Sequence, residues 1–240
     1  MKPSIPRVLV LWALLLAGAP QAVAGVVING TRVVYPAKAR EVTVQVDNVG
    51  DAPSLVQAWV DGGDAEQTAE QADAPFMLTP PISRVEPGRS QALRLVFTGA
   101  SLPSDRESLF WLNVLDVPPS PKTAADEQNY LQVAFRSRIK LFYRPDGLAG
   151  QANDAPAALQ WRRDGKQLRV DNPTPYHVTI AEVHLLVAGA EQAIEQQGKM
   201  VGPGQQLLFA MPEPTQRLRF VTLNDFGGRI EHVVSLDAGD

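Results

Sequence analysis

The sequence predicts an all-β protein built as two sandwich domains, and three observations predict it. Apolar residues recur with a period of two in most readable segments. Turn signals separate those segments at spacings of roughly 8–12 residues, the pattern of an immunoglobulin-like sandwich. The 20 prolines in 240 residues disfavour long helices.

Taken in order, residues 1–24 read as an export leader rather than as structure. Lys2 and Arg7 precede an apolar run from Val8 to Ala19, too short to span a bilayer. Ala22-Val23-Ala24 supplies the small-x-small cleavage pattern, so the mature chain is expected to begin near Gly25. The remaining 216 residues suit two domains of about 100 residues each, expected at 25–145 and 146–240. The leader implies export, and no later run is long enough for a membrane helix.

In the first half, Glu41 to Asp47 alternates strictly, and Gln91 to Phe97 does so apart from its end. Ser54 to Asp61, Glu107 to Val117 and Tyr130 to Tyr143 read as further strands, with Glu86-Pro87-Gly88 as a turn. In the second half, Ala158 to Arg163 and Lys166 to Asp171 flank Asp164-Gly165, a two-residue hairpin signal. Tyr176 to Val187, Gln205 to Met211, Gln216 to Leu223 and Ile230 to Leu236 complete the set, giving roughly seven strands per half. Residues 62–73 and 118–129 read as loops, the first with room for a helical turn, and the domains are expected to meet at Pro145 to Gly150.

Composition narrows the chemistry. Without the leader, 20 basic residues face 26 acidic ones, which does not suggest nucleic-acid binding. There is no cysteine, so disulfides, thiol catalysis and Cys-based zinc motifs are excluded. His177, His184 and His232 show no metal-ligand spacing and read as surface or edge residues. No HExxH, GxSxG or phosphate-loop motif occurs, so neither a catalytic residue, a metal nor a cofactor is expected. Asn29-Gly30-Thr31 matches a glycosylation sequon but reads more simply as a turn.

Leu131 to Tyr143 is the most informative stretch. Leu131, Val133, Phe135, Ser137, Ile139, Leu141 and Tyr143 form one face, almost all apolar; Gln132, Ala134, Arg136, Arg138, Lys140 and Phe142 form the other. At about 3.3 Å per residue the run spans roughly 43 Å, long for one core to cover. Either the whole strand is covered within its domain, or its start is a surplus apolar edge open to a partner. The same edge could also pair with a second copy of the free protein.

Several short motifs, in order and spacing, then resemble one family. They are Thr31-Arg32-Val33-Val34-Tyr35; Thr79-Pro80-Pro81 with Arg84-Val85-Glu86-Pro87-Gly88; Asp105 to Val114; Ile139-Lys140-Leu141-Phe142-Tyr143-Arg144-Pro145; Asn172-Pro173-Thr174-Pro175-Tyr176; and Asn224-Asp225-Phe226-Gly227-Gly228. Over nearly the whole mature chain the sequence resembles the periplasmic pilus-assembly chaperones of the chaperone–usher pathway, typified by the P-pilus and type 1 pilus chaperones. The resemblance implies two immunoglobulin-like domains set as an L with a cleft between them. It implies a non-enzymatic chaperone that lends a β-strand to unfinished pilus subunits and delivers them to an outer-membrane usher. Leu131, Val133 and Phe135 match the residues that fill the subunit groove, and Arg32 and Lys140 match the cations that hold the subunit's C-terminal carboxylate. Glu107, Arg144 and Asp225 match an interdomain charge cluster, and Pro80-Pro81 is a place for a cis bond. The competing readings are an extracellular adhesive or carbohydrate-binding sandwich and, more remotely, a hydrolase with scattered carboxylates.

Overall fold

A computed structural model describes residues 25–120, 132–187, 190–212 and 215–236. The expected leader, 1–24, and Leu131 lie outside the described residues. The first half contains β1 (Val26–Ile28), β2 (Arg32–Pro36), β3 (Val42–Asn48), β4 (Ser54–Asp61), β5 (Phe76–Thr79), β6 (Ile82–Val85), β7 (Ser90–Phe97), β8 (Ser108–Val117) and β9 (Phe135–Arg144). One sheet runs β1-β3-β7-β5 and the other β2-β9-β8-β4-β6. Between them lie Val33, Tyr35, Val46, Val56, Leu93, Leu95, Leu112 and Leu141, all buried. Period-two alternation is what permits this: in β3, Val44 and Val46 point inward while Thr43 and Gln45 face solvent.

The second half adds β10 (Gln160–Asp164), β11 (Gln167–Asp171), β12 (Val178–Val187), β13 (Ala190–Glu195), β14 (Lys199–Val201), β15 (Gln206–Ala210), β16 (Arg217–Leu223) and β17 (Arg229–Ser235). Its sheets run β10-β11-β15 and β13-β12-β16-β17, with β14 beside β12. Trp161, Leu168, Ile180, Leu185, Leu218 and Phe220 form a separate core. Two independent cores make this a pair of sandwiches rather than one.

The structure refines the sequence expectations in four places. Asp164 pairs with Gln167, so the hairpin turn is Gly165-Lys166, one residue later than read. Thr79-Pro80 is the cis bond. Residues 62–73 form turns and bends without a helix. The ladder of β9 begins only at Phe135, which pairs with Asp116 near the end of β8. Among the described residues Gln132 to Ala134 belong to no strand ladder, although their alternation continues.

Candidate functional site

The apolar face of β9 runs out of its own core. Leu141 is fully buried, Ile139 is half-buried, and Phe135 is 66% exposed, with Val133 beyond it at 44%. This gradient follows from position: Leu141 lies opposite Phe110, inside the β8–β9 ladder, whereas Phe135 sits at its last pair. The two described groove-filling candidates, Val133 and Phe135, are thus large apolar side chains in solvent at one end of an otherwise ordered strand.

Arg32 and Lys140 are brought side by side. β2 and β9 run parallel, and Arg32 and Lys140 are direct register partners. Both reach the second domain: Arg32 Nη1 donates to the Leu223 carbonyl at 3.1 Å, and Lys140 Nζ donates to the Thr179 hydroxyl at 3.4 Å. Arg32 Nε is buried without a partner among the described residues. Burial lowers the pKa of Arg32, with Asp225 pulling the other way. Burial also lowers that of Lys140, and the neighbouring Arg32 charge adds to the effect. Two like charges held half-buried, hydrogen-bonded among the described residues only to neutral oxygens, form a site suited to an anion. A carboxylate would take donors from both and relieve their repulsion.

Arg144, four residues along the same strand, is in the opposite state. Its Nε donates to Glu107 at 2.7 Å, and Nη1 and Nη2 donate to the two oxygens of Asp225 at 2.7 and 2.9 Å. Burial opposes its charge, but the hydrogen bonds and charge of Asp225 and Glu107 outweigh it and hold the guanidinium well above its ordinary pKa. Glu107 also accepts from the His177 backbone N–H at 2.8 Å and lies 3.2 Å from His177 Nδ1. Since Asp225 and His177 belong to the second domain, the cluster ties the two sandwiches together. Nearby, Gly227 approaches Thr31 so closely that a β-carbon would stand 2.5 Å from its hydroxyl.

The histidines differ from the sequence expectation. His177 and His184 are both largely buried and sit beside carboxylates, His184 Nε2 lying 3.1 Å from Glu182. The expected surface placement fails because His184 lies on β12, which is flanked by β13 and β16, and His177 is covered by Glu107 of the first domain. Among the described residues no cluster of His, Cys, Asp and Glu is arranged to hold a metal.

One network was not singled out from the sequence. Asp61 at the end of β4 is wholly buried, and Arg138 clamps it with Nη2 at 2.6 Å and Nε at 3.1 Å. Asn113 donates to Asp61 at 2.6 Å and accepts from Arg136 Nε and Nη2 at 2.9 and 2.7 Å. Arg138 stacks 4.1 Å over Trp111 and Arg136 4.8 Å over Trp59. Burial would raise the pKa of Asp61, but the bonds from Arg138, Asn113 and Gly63 and the Arg138 charge overcome it and hold the carboxyl low. The polar face of β9 signalled Arg136 and Arg138; their acidic partner is not visible in local pattern.

Comparison with known proteins agrees with this architecture. Residues 25–149 match the family model for the pili and flagellar-assembly chaperone, PapD N-terminal domain, and residues 154–234 match that for the pili assembly chaperone PapD, C-terminal domain. The chain is 42% identical over 227 residues to the probable fimbrial chaperone YadV of Escherichia coli K12, covering 90% of this chain and 92% of that one. It is 43% identical over 222 residues to chaperone protein FimB/FhaD of Bordetella pertussis, covering 90% of each. Among solved structures, the CupB2 chaperone of Pseudomonas aeruginosa is 40% identical with a TM-score of 0.77, over 88% of this chain and 100% of that one. The SafB chaperone of Salmonella enterica, solved in complex with the SafA pilin, is 31% identical with a TM-score of 0.76, over 91% and 99%. With both halves matched and such relatives over most of its length, the chain belongs to the pilus-assembly chaperone family, whose work is folding and assembly rather than catalysis.

Proposed function

We propose that this protein captures a pilus subunit in the periplasm by donor-strand complementation and passes it to an outer-membrane usher. The observation that carries the reading is the exposure gradient on β9: one apolar face serves this protein's own core at Leu141 and stands open at Phe135 and Val133. An incomplete sandwich accepting that edge gains backbone hydrogen bonds and buries side chains worth about 1.5–3 kcal/mol each before ordering costs. In this reading Leu131, Val133 and Phe135 fill the subunit groove, and Arg32 and Lys140 hold its C-terminal carboxylate. Phe135 lies five residues from Lys140, roughly 17 Å along the strand, so anchoring the chain end fixes which groove position each side chain meets.

Glu107, Arg144 and Asp225 act here as the interdomain brace that holds the cleft around the cation pair. The functional units are residues 25–145 and 146–240, preceded by an export leader, 1–24. The complexed Salmonella relative supports the choice of partner class. The comparisons give no support to an adhesive or carbohydrate-binding role.

The test is co-expression with a cognate subunit and isolation of the periplasmic complex. A 1:1 complex is expected from the unaltered protein. Arg32→Ala and Lys140→Ala are expected to abolish it while leaving the unfolding transition in place. Undiminished capture by the doubly substituted protein would refute the carboxylate anchor.

A further inference from the structure

Asp116 is an acid in an unusual place. It lies on the core-facing side of β8, between its register partners Val56 of β4 and Phe135 of β9, and is only 8% exposed. One oxygen accepts from the Ser54 hydroxyl, and the other accepts from the Val26 backbone N–H at 3.0 Å. The carboxylate thus bridges the two sheets, joining edge strand β1 to β4 and β8. No cation pairs with it among the described residues, and burial raises its pKa, the Val26 N–H opposing. A buried carboxylate held by two neutral donors lacks the counter-charge that normally accompanies such a group.

Gly25 supplies a second, independent observation. A β-carbon on Gly25 would stand 2.5 Å from one Asp116 oxygen and 3.4 Å from its carboxyl carbon. Standard bond geometry then puts the Gly25 nitrogen within about 5 Å of that oxygen. The residue is fixed there, because its carbonyl accepts from Val49 N–H at 2.9 Å and Gly50 N–H at 3.3 Å. A side chain at this position would push the carboxylate aside, and Gly25 is the residue that follows the Ala22-Val23-Ala24 cleavage pattern.

We propose that Asp116 is a built receptor for the chain's own newly freed α-ammonium. Hydrolysis of the Ala24–Gly25 peptide by the leader peptidase adds water across the bond, leaving a carboxylate on Ala24 and an ammonium on Gly25. The ammonium then supplies the missing charge beside Asp116. Before cleavage the site meets a neutral amide; afterwards it holds a buried ion pair that pins β1 to β8. That pin lies at the end of the sandwich from which the donor strand leaves, since Asp116 and Phe135 are ladder partners. Leader removal therefore completes the first domain at the place where it meets its client.

The proposal rests on cleavage after Ala24, and that premise is tested separately: the mass of the exported protein reports its first residue. The ion pair is tested on purified chains beginning at Gly25 or extended to begin at Ala22, each with Asp116 or Asp116→Asn. The extension is expected to lower the melting temperature by on the order of 5 °C in the Asp116 protein, and by little in the Asp116→Asn protein. An ammonium paired in the fold has a raised pKa, so its stabilisation is complete below its ordinary pKa of about 8 and is lost as pH rises through the raised value. The difference between the Gly25 and Ala22 chains should accordingly shrink in alkali. Titration of the Gly25 α-amine by NMR gives a readout that does not depend on how well the variants fold. Its pKa should lie above about 8 with Asp116 and fall back with Asp116→Asn. Equal losses in both backgrounds, or an unshifted amine, would overturn the pairing.

Discussion

Arg144 and Lys140 lie on the same strand, on the same face, two alternate positions apart in the interdomain cleft, and their surroundings are opposite. Arg144 meets two carboxylates, and its three nitrogens each donate to a carboxylate oxygen at 2.7–2.9 Å. Lys140 meets another cation and a neutral hydroxyl. Where charge is neutralised, the fold has spent it on holding two domains together. Where no carboxylate is bonded, the two neighbouring cations carry a local electrostatic cost that an anion would relieve. On the function proposed above, the cations of this cleft without a hydrogen-bonded carboxylate are the ones that meet the client.

Experiments of decreasing expected effect break or sharpen that contrast. The largest effect is expected from Arg144→Met, which strands Glu107 and Asp225 without their cation and should cost about 3–5 kcal/mol in thermal or denaturant unfolding. A loss below about 1 kcal/mol would mean the brace contributes little. Arg138→Met strands the wholly buried Asp61 in the same way and should cost about 2–4 kcal/mol. Because Asp61 is held low in the fold, its contribution is present above the ordinary carboxylate range and is lost as pH falls through the depressed value. The unaltered protein should therefore weaken in acid, and Asp61→Asn should flatten that slope while lowering stability at neutral pH.

Lys140→Met makes the opposite prediction. A lysine whose pKa is lowered in the fold destabilises while charged, so replacing it should leave the melting temperature unchanged or up to about 2 °C higher while subunit capture is lost. A clear drop in melting temperature would show that Lys140 is structural. For the unaltered protein, affinity for the subunit should decline as pH rises through the lowered Lys140 pKa, measured by titration calorimetry. Phe135→Ser should move stability least, by under about 0.5 kcal/mol, because the side chain is already 66% exposed, yet it should weaken capture by leaving the groove position unfilled.

The sandwich architecture was legible because its central strands alternate cleanly, as in β3 and β7. Strands β1, β2, β5, β6, β13 and β14 were not: all have six residues or fewer, too few to establish a period, and Ala190–Glu195 carries a single β-branched residue. The surplus end of β9 was visible in its length and alternation, although alternation alone did not show where its ladder ends. That limit is set by the end of β8, a fact held in a different segment. The roles proposed for Arg32 and Lys140 rested on family motifs, because nothing local distinguishes a waiting cation from a solvated one. Asp61 with Arg138, and Asp116 with Gly25, are contacts between distant positions, and local periodicity carries no information about them.

The parallel alignment of β2 with β9 has one more consequence. These strands come from the beginning and the end of the first domain, and they become neighbours only after the intervening chain has threaded through both sheets. Such non-local pairing forms late in folding. Arg32 and Lys140 are therefore apart until that pairing has formed. On the function proposed above, a half-folded chaperone would offer an apolar strand without the paired cations that hold a client's chain end.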